Sequence, residues 1–354
     1  MTTVLDETRV EAFIERIVDE IGAAVNVPLT IIGMRLGLYA AMSDAQPVTA
    51  AELAARTDTH ERYVREWLAA QAAGGYVVYD PDAETYRLPP EHIGVLADAD
   101  SPLYMGGMFQ TASATVHAQD RMEVRFTTGD GLGWHEHHHD LFHGTDAVFG
   151  VAYRSYLVQE WIPALEGVEA KLRAGARVAD IGCGYGTATI LLAQAFPQST
   201  FVGFDYHVES IERARRNAAA AGVADRVRFE IASATDFPGT GYDLIASFDS
   251  LHDLGDPAAC ARQVREALAD DGTWLIVEPS AGDSVEENLH PLGRIRYSIS
   301  TLVCTPGSLS QPGRAGLGTL AGEARLSEAI RAGGFSQVRR ATETLFNMVL
   351  EARP

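Results

Sequence analysis

The stretch that most constrains this chain runs from Arg177 to Phe196, RVADIGCGYGTATILLAQAF, where an apolar run meets three glycines and passes straight into a helical pattern. Val178, Ala179 and Ile181 read as a short strand of a parallel sheet, buried on both faces. Gly182, Gly184 and Gly186 then form a tight turn, Thr187 stands where an N-cap belongs, and Ile190, Leu191, Leu192, Ala193 and Phe196 supply one apolar helix face. A second strand, TFVGF over 200–204, ends in Asp205.

The glycine spacing is G-x-G-x-G, tighter than the dinucleotide fingerprint, and Asp180 stands two residues before the first glycine. A carboxylate facing this turn repels a diphosphate and attracts the ammonium and sulfonium groups of S-adenosylmethionine. Asp205 falls about 20 residues beyond the turn, where ribose hydroxyls are usually held. A plain strand-to-helix turn would explain the glycines but not the two acids. The stretch therefore reads as a nucleoside half-site built from Asp180, Gly182, Cys183, Gly184, Gly186, Asp205 and Tyr206.

Downstream, strands at 227–231, 244–248 and 273–278 alternate with helices at 208–221 and 257–268, the pattern of a parallel sheet covered on both faces. A helix in GEARLSEAIRAGGF and two strands, QVRRATET and LFNMVLEARP, close the chain. The fourth strand runs into Asp249-Ser250-Leu251-His252-Asp253, at the sheet edge where open α/β folds keep their ligands. Methyl transfer from a sulfonium needs an aligned nucleophile and a group to take its proton. His252 is the candidate base, with Asp253 or Asp249 placed to raise its pKa and fix its tautomer. A loop histidine satisfied by its neighbours is the plainer alternative.

At the other end, Val10, Phe13, Ile14, Ile17, Val18, Ile21 and Val25 recur at helical steps. Pro28 is expected to break this helix, and 29–42 to form a second, nearly all-apolar one that needs burial in a bundle or a subunit interface. Over 48–86, Thr49 caps AAELAART, a short turn leads to ERYVREWLAAQAAGG, and YVVYD and TYRL form a strand pair, which together make a winged helix-turn-helix. DNA binding and dimerisation both use such a module. Residues 1–100 hold 7 arginines against 17 acids, and the whole chain carries 28 basic against 48 acidic residues, a net charge of −20. Polyanions are poor partners for such a surface, which disfavours nucleic acid and anionic membranes. No apolar run approaches the ~18 residues of a membrane span. Cys183, Cys260 and Cys304 are scattered thiols without a C-x-x-C pair, as in a reducing cytoplasm.

Residues 88–146 read as irregular and contain Trp134-His135-Glu136-His137-His138-His139-Asp140 followed by His143. Three readings stay open. In an active-site lid, Trp134, His135 and His138 touch substrate; in a metal site, His139 and His143 share a helix face with Glu136 or Asp140; otherwise the run is a solvated loop. An aromatic-rich helix over 147–162 joins the two halves. The long connection 279–322 is expected to cap the site, with Tyr297, Leu302 and Cys304 as an apolar wall facing Met105, Met108, Phe109 and Trp134.

VADIGCGYGTAT and FVGFDYHVESIERAR resemble class I S-adenosylmethionine-dependent methyltransferases. LGLYAAM, TAAELAART and His252-Asp253-Leu254 resemble the small-molecule O-methyltransferases, whose base is the His of a His-Asp-Trp run. The resemblance implies an α/β fold: a Rossmann-like seven-stranded sheet of order 3-2-1-4-5-7-6 with an N-terminal, mostly α winged-helix domain. It further implies a dimerisation domain over 1–100, a connector and lid over 101–165, and a cofactor domain over 166–354 in a cytoplasmic homodimer. Ser233, Ala234 and Phe248 complete the expected cofactor set, although Ala232-Ser233-Ala234-Thr235 stands where the family usually places an acid near the adenine. The expected activity is methylation of an apolar or aromatic hydroxyl. An N- or C-methyltransferase, a metal-assisted enzyme using the His135–His143 cluster, and a ligand-sensing winged-helix regulator are the alternatives.

Overall fold

Pro28 lies inside a helix instead of ending one. The computed structural model describes residues 5–354, and its first element, α1, runs unbroken over Glu7–Arg35. A mid-helix proline removes a backbone donor, but the chain on either side of it is held from outside. Trp67 Nε1 donates to the Leu29 carbonyl at 2.8 Å, and Gln71 Nε2 to Asn26 Oδ1 at 2.8 Å. The helix expected over 29–42 is therefore the end of α1, a turn and a short 3-10 segment, Ala40–Met42.

Trp67 and Gln71 belong to α3 (Glu61–Ala73), which follows α2 (Ala50–Thr57). Thr49 and Glu52 cap α2 reciprocally, as the sequence predicts. The wing is the antiparallel pair β1 (Val78–Asp80) and β2 (Thr85–Arg87). These elements close on a core of Leu38, Tyr39, Met42, Leu53, Trp67 and Leu68. The stripe of α1 stays uncovered: Phe13 is 60% exposed, Val18 62% and Val25 68%. By length and composition α1 is also apolar enough to cross a membrane, contrary to the sequence expectation.

The chain divides into two compact units. One comprises residues up to 113 with 143–151, and the other 114–142 with 152–354. The expected connector 101–165 is thus shared between them. The stretch 88–146, read as irregular, is instead largely helical, with Pro90–Leu96, Gly106–Val116, Gln119–Thr128 and the start of α4 (His139–Ala152). Gly107 shows why such short glycine-bearing segments pack: a Cβ there would meet the Gly144 carbonyl at 2.7 Å. The aromatic segment that follows, Tyr153–Trp161, is π-helical.

The larger unit is built on seven strands, β3 (Arg177–Ile181), β4 (Thr200–Asp205), β5 (Val227–Ile231), β6 (Tyr242–Phe248), β7 (Leu268–Pro279), β8 (Gln337–Glu343) and β9 (Asn347–Arg353). Their order is β5-β4-β3-β6-β7-β9-β8, with β9 antiparallel to its neighbours. This is the expected sheet. Ala179, Ile181, Phe204, Ile245, Trp274 and Ile276 lie in its core. The order reverses between β3 and β6, so a crevice opens at their carboxyl ends. Residues 279–322 are mostly helical, with Pro291–Ile299, a π-helical Ser300–Cys304 and Thr305–Leu309, where the sequence suggests a loop.

Candidate active site

β3 ends on Asp180-Ile181 and turns through Gly182, Gly184 and Gly186, with φ of +76°, +52° and +78°. Gly186, not Thr187, caps α5 (Thr187–Ala195). It is required twice over, because its φ is left-handed and a Cβ there would lie 2.4 Å from Phe229. Around Gly184 a Cβ would meet nothing within 4 Å. The turn is pinned to the next strand by Gly182 N–H donating to the Phe204 carbonyl at 2.8 Å.

Asp180 is 1% exposed. Its Oδ2 accepts the Thr189 hydroxyl at 2.5 Å, while Oδ1 is buried without a hydrogen-bond partner. Burial raises this carboxyl to about 7, against the Thr189 bond and helped by the nearby Asp205 charge. Asp205 accepts from Gly184 N–H at 3.0 Å and His207 N–H at 2.8 Å, and burial raises its pKa despite both bonds. An orphaned carboxylate oxygen with a raised proton affinity fits a cation, and the remaining lone pairs of Asp205 fit hydroxyl donors. Around the turn, Cys183 packs close to Gly203, its thiol pushed well up by burial and by Asp180 and Asp205. Tyr206 is half exposed, edge-on to His135 with ring centroids 6.1 Å apart. Ser233 is exposed in the turn after β5, where its Oγ lies 3.0 Å from Thr235 Oγ1, and Ala234 is half-buried beside it. Phe248, at the end of β6, is buried against Tyr153 at 5.1 Å between centroids.

The turn after β6 places His252 in a 3-10 segment, Leu251–Asp253, one strand over from the end of β7. There Glu278, fully buried, accepts Leu251 N–H at 2.8 Å through Oε1 and contacts His252 Nδ1 through Oε2. His252 Nε2 lies 3.2 Å from Asp253 Oδ1. The Cys304 thiol reaches the same group and accepts the Thr319 hydroxyl at 2.9 Å. Burial alone would lower the His252 pKa, but Asp253 and Glu278 outweigh it and hold it well above the usual range. Burial raises Asp253 as well, opposed by the His252 charge. Asp249 is directed elsewhere: with φ +48°, it accepts Asn347 Nδ2 at 3.3 Å, and burial with the Glu278 charge lifts it well above the ordinary carboxylate range. Glu278 is the residue that the sequence reading missed. Its signal was an acid closing the strand beside β6.

An apolar cluster borders this group, in which Trp134, Leu141, Phe142, Leu302, Val303 and Cys304 pack together. The Trp134 and Phe142 rings are 5.1 Å apart. His138 stacks on His117 at 4.2 Å and accepts the Asp140 N–H at 3.2 Å. Asp140 Oδ1 lies 3.8 Å from His139 Nε2, so the structure groups His138, His139 and Asp140. Burial, with Arg121 nearby, lowers His137 to about 4. Tyr297 is half-buried on Pro291–Ile299. Met108, Phe109 and His143 fall in the unit that contains the winged helix, where Phe109 packs on Tyr76.

Residues 172–303 match the family model "Methyltransferase domain", and residues 23–98 the "Rv2258c-like winged HTH domain". The chain is 30% identical over 308 residues to O-demethylpuromycin-O-methyltransferase of Streptomyces alboniger, spanning 79% of this chain and 75% of that protein. It is 34% identical over 139 residues to 27-O-demethylrifamycin SV methyltransferase of Amycolatopsis mediterranei, covering 37% of this chain and 51% of that one. With this and several other curated relatives, the match spans about half of their length or less. Among solved structures, human N-acetylserotonin methyltransferase in complex with its S-adenosylmethionine superposes with a TM-score of 0.70 at 16% identity, covering 100% of this chain and 99% of that one. The mitomycin 7-O-methyltransferase gives 0.65 at 17%, covering 99% and 100%. By the length of its likeness to the Streptomyces alboniger enzyme, the chain belongs to the S-adenosylmethionine-dependent methyltransferases that join a winged-helix unit to a seven-stranded α/β domain.

Proposed function

We propose that this enzyme methylates the hydroxyl of an apolar or aromatic small molecule, with His252 as general base. One observation carries the reading: a buried histidine whose Nδ1 is engaged by Glu278 stands at the β6 edge of the crevice, beside the glycine turn. Bound there, S-adenosylmethionine supplies an electrophilic methyl group on a sulfonium. Asp180 would hold its cationic end, Asp205 and Tyr206 the ribose, and Ser233, Ala234 and Phe248 the adenine side. Glu278 fixes the Nδ1–H tautomer, which leaves Nε2 as the basic atom and stabilises the imidazolium formed when the hydroxyl proton arrives. Asp253 adds a second negative charge, and Asp249 with Asn347 shapes the backbone behind it. Trp134, His135, His138 and Tyr297 are the proposed acceptor contacts.

The enzyme acts as a cytoplasmic homodimer, in this reading, with the uncovered stripe of α1 at the interface. A regulator role is disfavoured because α3 pairs its arginines internally, Arg62 with Glu66 at 2.6 Å and Arg65 with Glu61. Little basic surface is left for phosphates. The test is incubation of cell extract with deuterated-methyl S-adenosylmethionine and mass spectrometry of the products. A labelled O-methyl product, lost with His252→Asn while cofactor binding persists, supports the reading. Full turnover by that variant rejects His252, and label on nitrogen or carbon rejects the acceptor class.

A further inference from the structure

The group around His252 contains more donors than a base requires. His252 Nε2, Asp253 Oδ1 and Cys304 Sγ lie within 4.8 Å of one another. The nitrogen-to-oxygen separation is 3.2 Å. A tetrahedral ion with N and O ligands at about 2.0–2.1 Å sets them about 3.3 Å apart. Asp253 Oδ1 is buried without a hydrogen-bond partner, although it faces the imidazole. The outer partners suit an ion too. Glu278 engages the far ring nitrogen, the carboxylate–histidine arrangement that orients metal-binding imidazoles, and the Thr319 hydroxyl donates to Cys304 Sγ, against the burial and the Asp253 charge that push this thiol up to about 11 without a metal. One imidazole, one carboxylate and one thiol select a thiophilic, borderline-soft cation over Mg2+ or Ca2+.

We propose that His252, Asp253 and Cys304 form a chelate for a thiophilic divalent cation, Zn2+ above all, and that its binding shuts the enzyme off. The inhibitory half rests on the reading of His252 as base; the binding half does not. Three dative bonds form, from Nε2, Oδ1 and Sγ. The Cys304 thiol proton and, where the ring is charged, the Nε2 proton leave to solvent, the Nδ1 proton stays between His252 and Glu278, and no electron changes hands. The Nε2 lone pair then serves the ion and is no longer available to the acceptor hydroxyl. Turnover falls while the glycine turn, Asp180 and Asp205 continue to hold cofactor.

The test titrates the purified full-length chain, freed of metal with a chelator, with Zn2+ alone and with Co2+ alone. The expected result is one high-affinity site, a thiolate-to-cobalt charge-transfer band, and loss of methyl transfer that the chelator restores. Cys304→Ser should abolish the band and weaken Zn2+ by more than about 100-fold, with unaltered S-adenosylhomocysteine binding as the sign of a folded chain. No charge-transfer band with the wild type overturns the site, as does a Cys304→Ser chain that binds Zn2+ as before, which would place the ion on His138 and His139. Metal bound at Cys304 with turnover unchanged or raised overturns the inhibition. Should His252→Asn keep full turnover while the wild-type band persists, the base is wrong and the chelate stands.

Discussion

His252 Nδ1 and Glu278 Oε2 meet in the protein interior at the ends of two elements 26 residues apart in sequence, a turn after β6 and the last residues of β7. The register of the two parallel strands sets this contact, with Phe248 opposite Val277, so the turn that leaves β6 passes directly over the Glu278 side chain. The pair gives the histidine an orientation and a proton affinity together.

Removal of that carboxylate separates the two effects. In Glu278→Gln one of the two charges that offset burial is gone, so the imidazole pKa falls, while Asp253 still raises it. Wild-type kcat/KM should rise with pH and level off above an apparent pKa higher than the ordinary ~6.5 of histidine, because only the neutral ring accepts a proton. In the variant this limb should move to lower pH while kcat on the plateau drops about 10²–10⁴-fold, the usual worth of a positioned base. KM for the donor should hardly change. An unmoved limb in the pH–rate profile would detach Glu278 from the base.

Asp180 gives the cofactor site its own pH signature. With its folded pKa raised to about 7 from 3.8, its unfolded form ionises first as pH rises. Its contribution to stability is therefore fully present below 3.8 and lost as pH climbs through about 7. A cation bound at Oδ1 favours the ionised form, so S-adenosylmethionine binding should release about half a proton at pH 7 and more at lower pH. Calorimetry in buffers of unlike ionisation heat measures it. Asp180→Asn should abolish the release, weaken the donor by about tenfold or more, and stabilise the unliganded fold at pH 8.

The apolar stripe of α1 yields a prediction on assembly. Phe13, Ile14, Val18, Ile21 and Val25 are each more than half exposed. Covering a side chain of this size is worth about 1.5–3 kcal/mol, so several together suffice for a stable dimer. Sedimentation should show a dimer that becomes monomeric in a Phe13→Glu, Val18→Glu chain, with the melting of the sheet-bearing unit preserved. A wild-type monomer, or flotation with lipid vesicles, would defeat the dimer reading.

The sheet was legible because strands and helices alternate in sequence, and a right-handed crossover leaves few ways to order them. The glycine turn and Asp205 were legible because their spacing is local. Glu278 was not, since its partner is 26 residues away and only the register of β6 with β7 joins them. The path of α1 through Pro28 was hidden for the same reason: the bonds from Trp67 and Gln71 that hold it come from another helix. In 88–146, read as irregular, Gly107 and Gly144 are points of close backbone approach between helices.

Two glycines of one turn should fail differently. Alanine at either position meets a left-handed φ and costs about 1–2 kcal/mol in backbone strain. At Gly186 the added methyl also runs into the Phe229 ring at 2.4 Å and Ala214 at 3.1 Å, so β5 and the helix Val208–Ala220 must move. Gly186→Ala should therefore lose about 2–4 kcal/mol of stability, read by denaturant melting. At Gly184 the methyl enters open space. Gly184→Ala should lose only the strain energy yet bind S-adenosylhomocysteine more weakly than its stability explains, because the methyl fills room reserved for the ligand. Equal losses of stability, with donor affinity spared at Gly184, would mean that the cofactor does not lie against this turn.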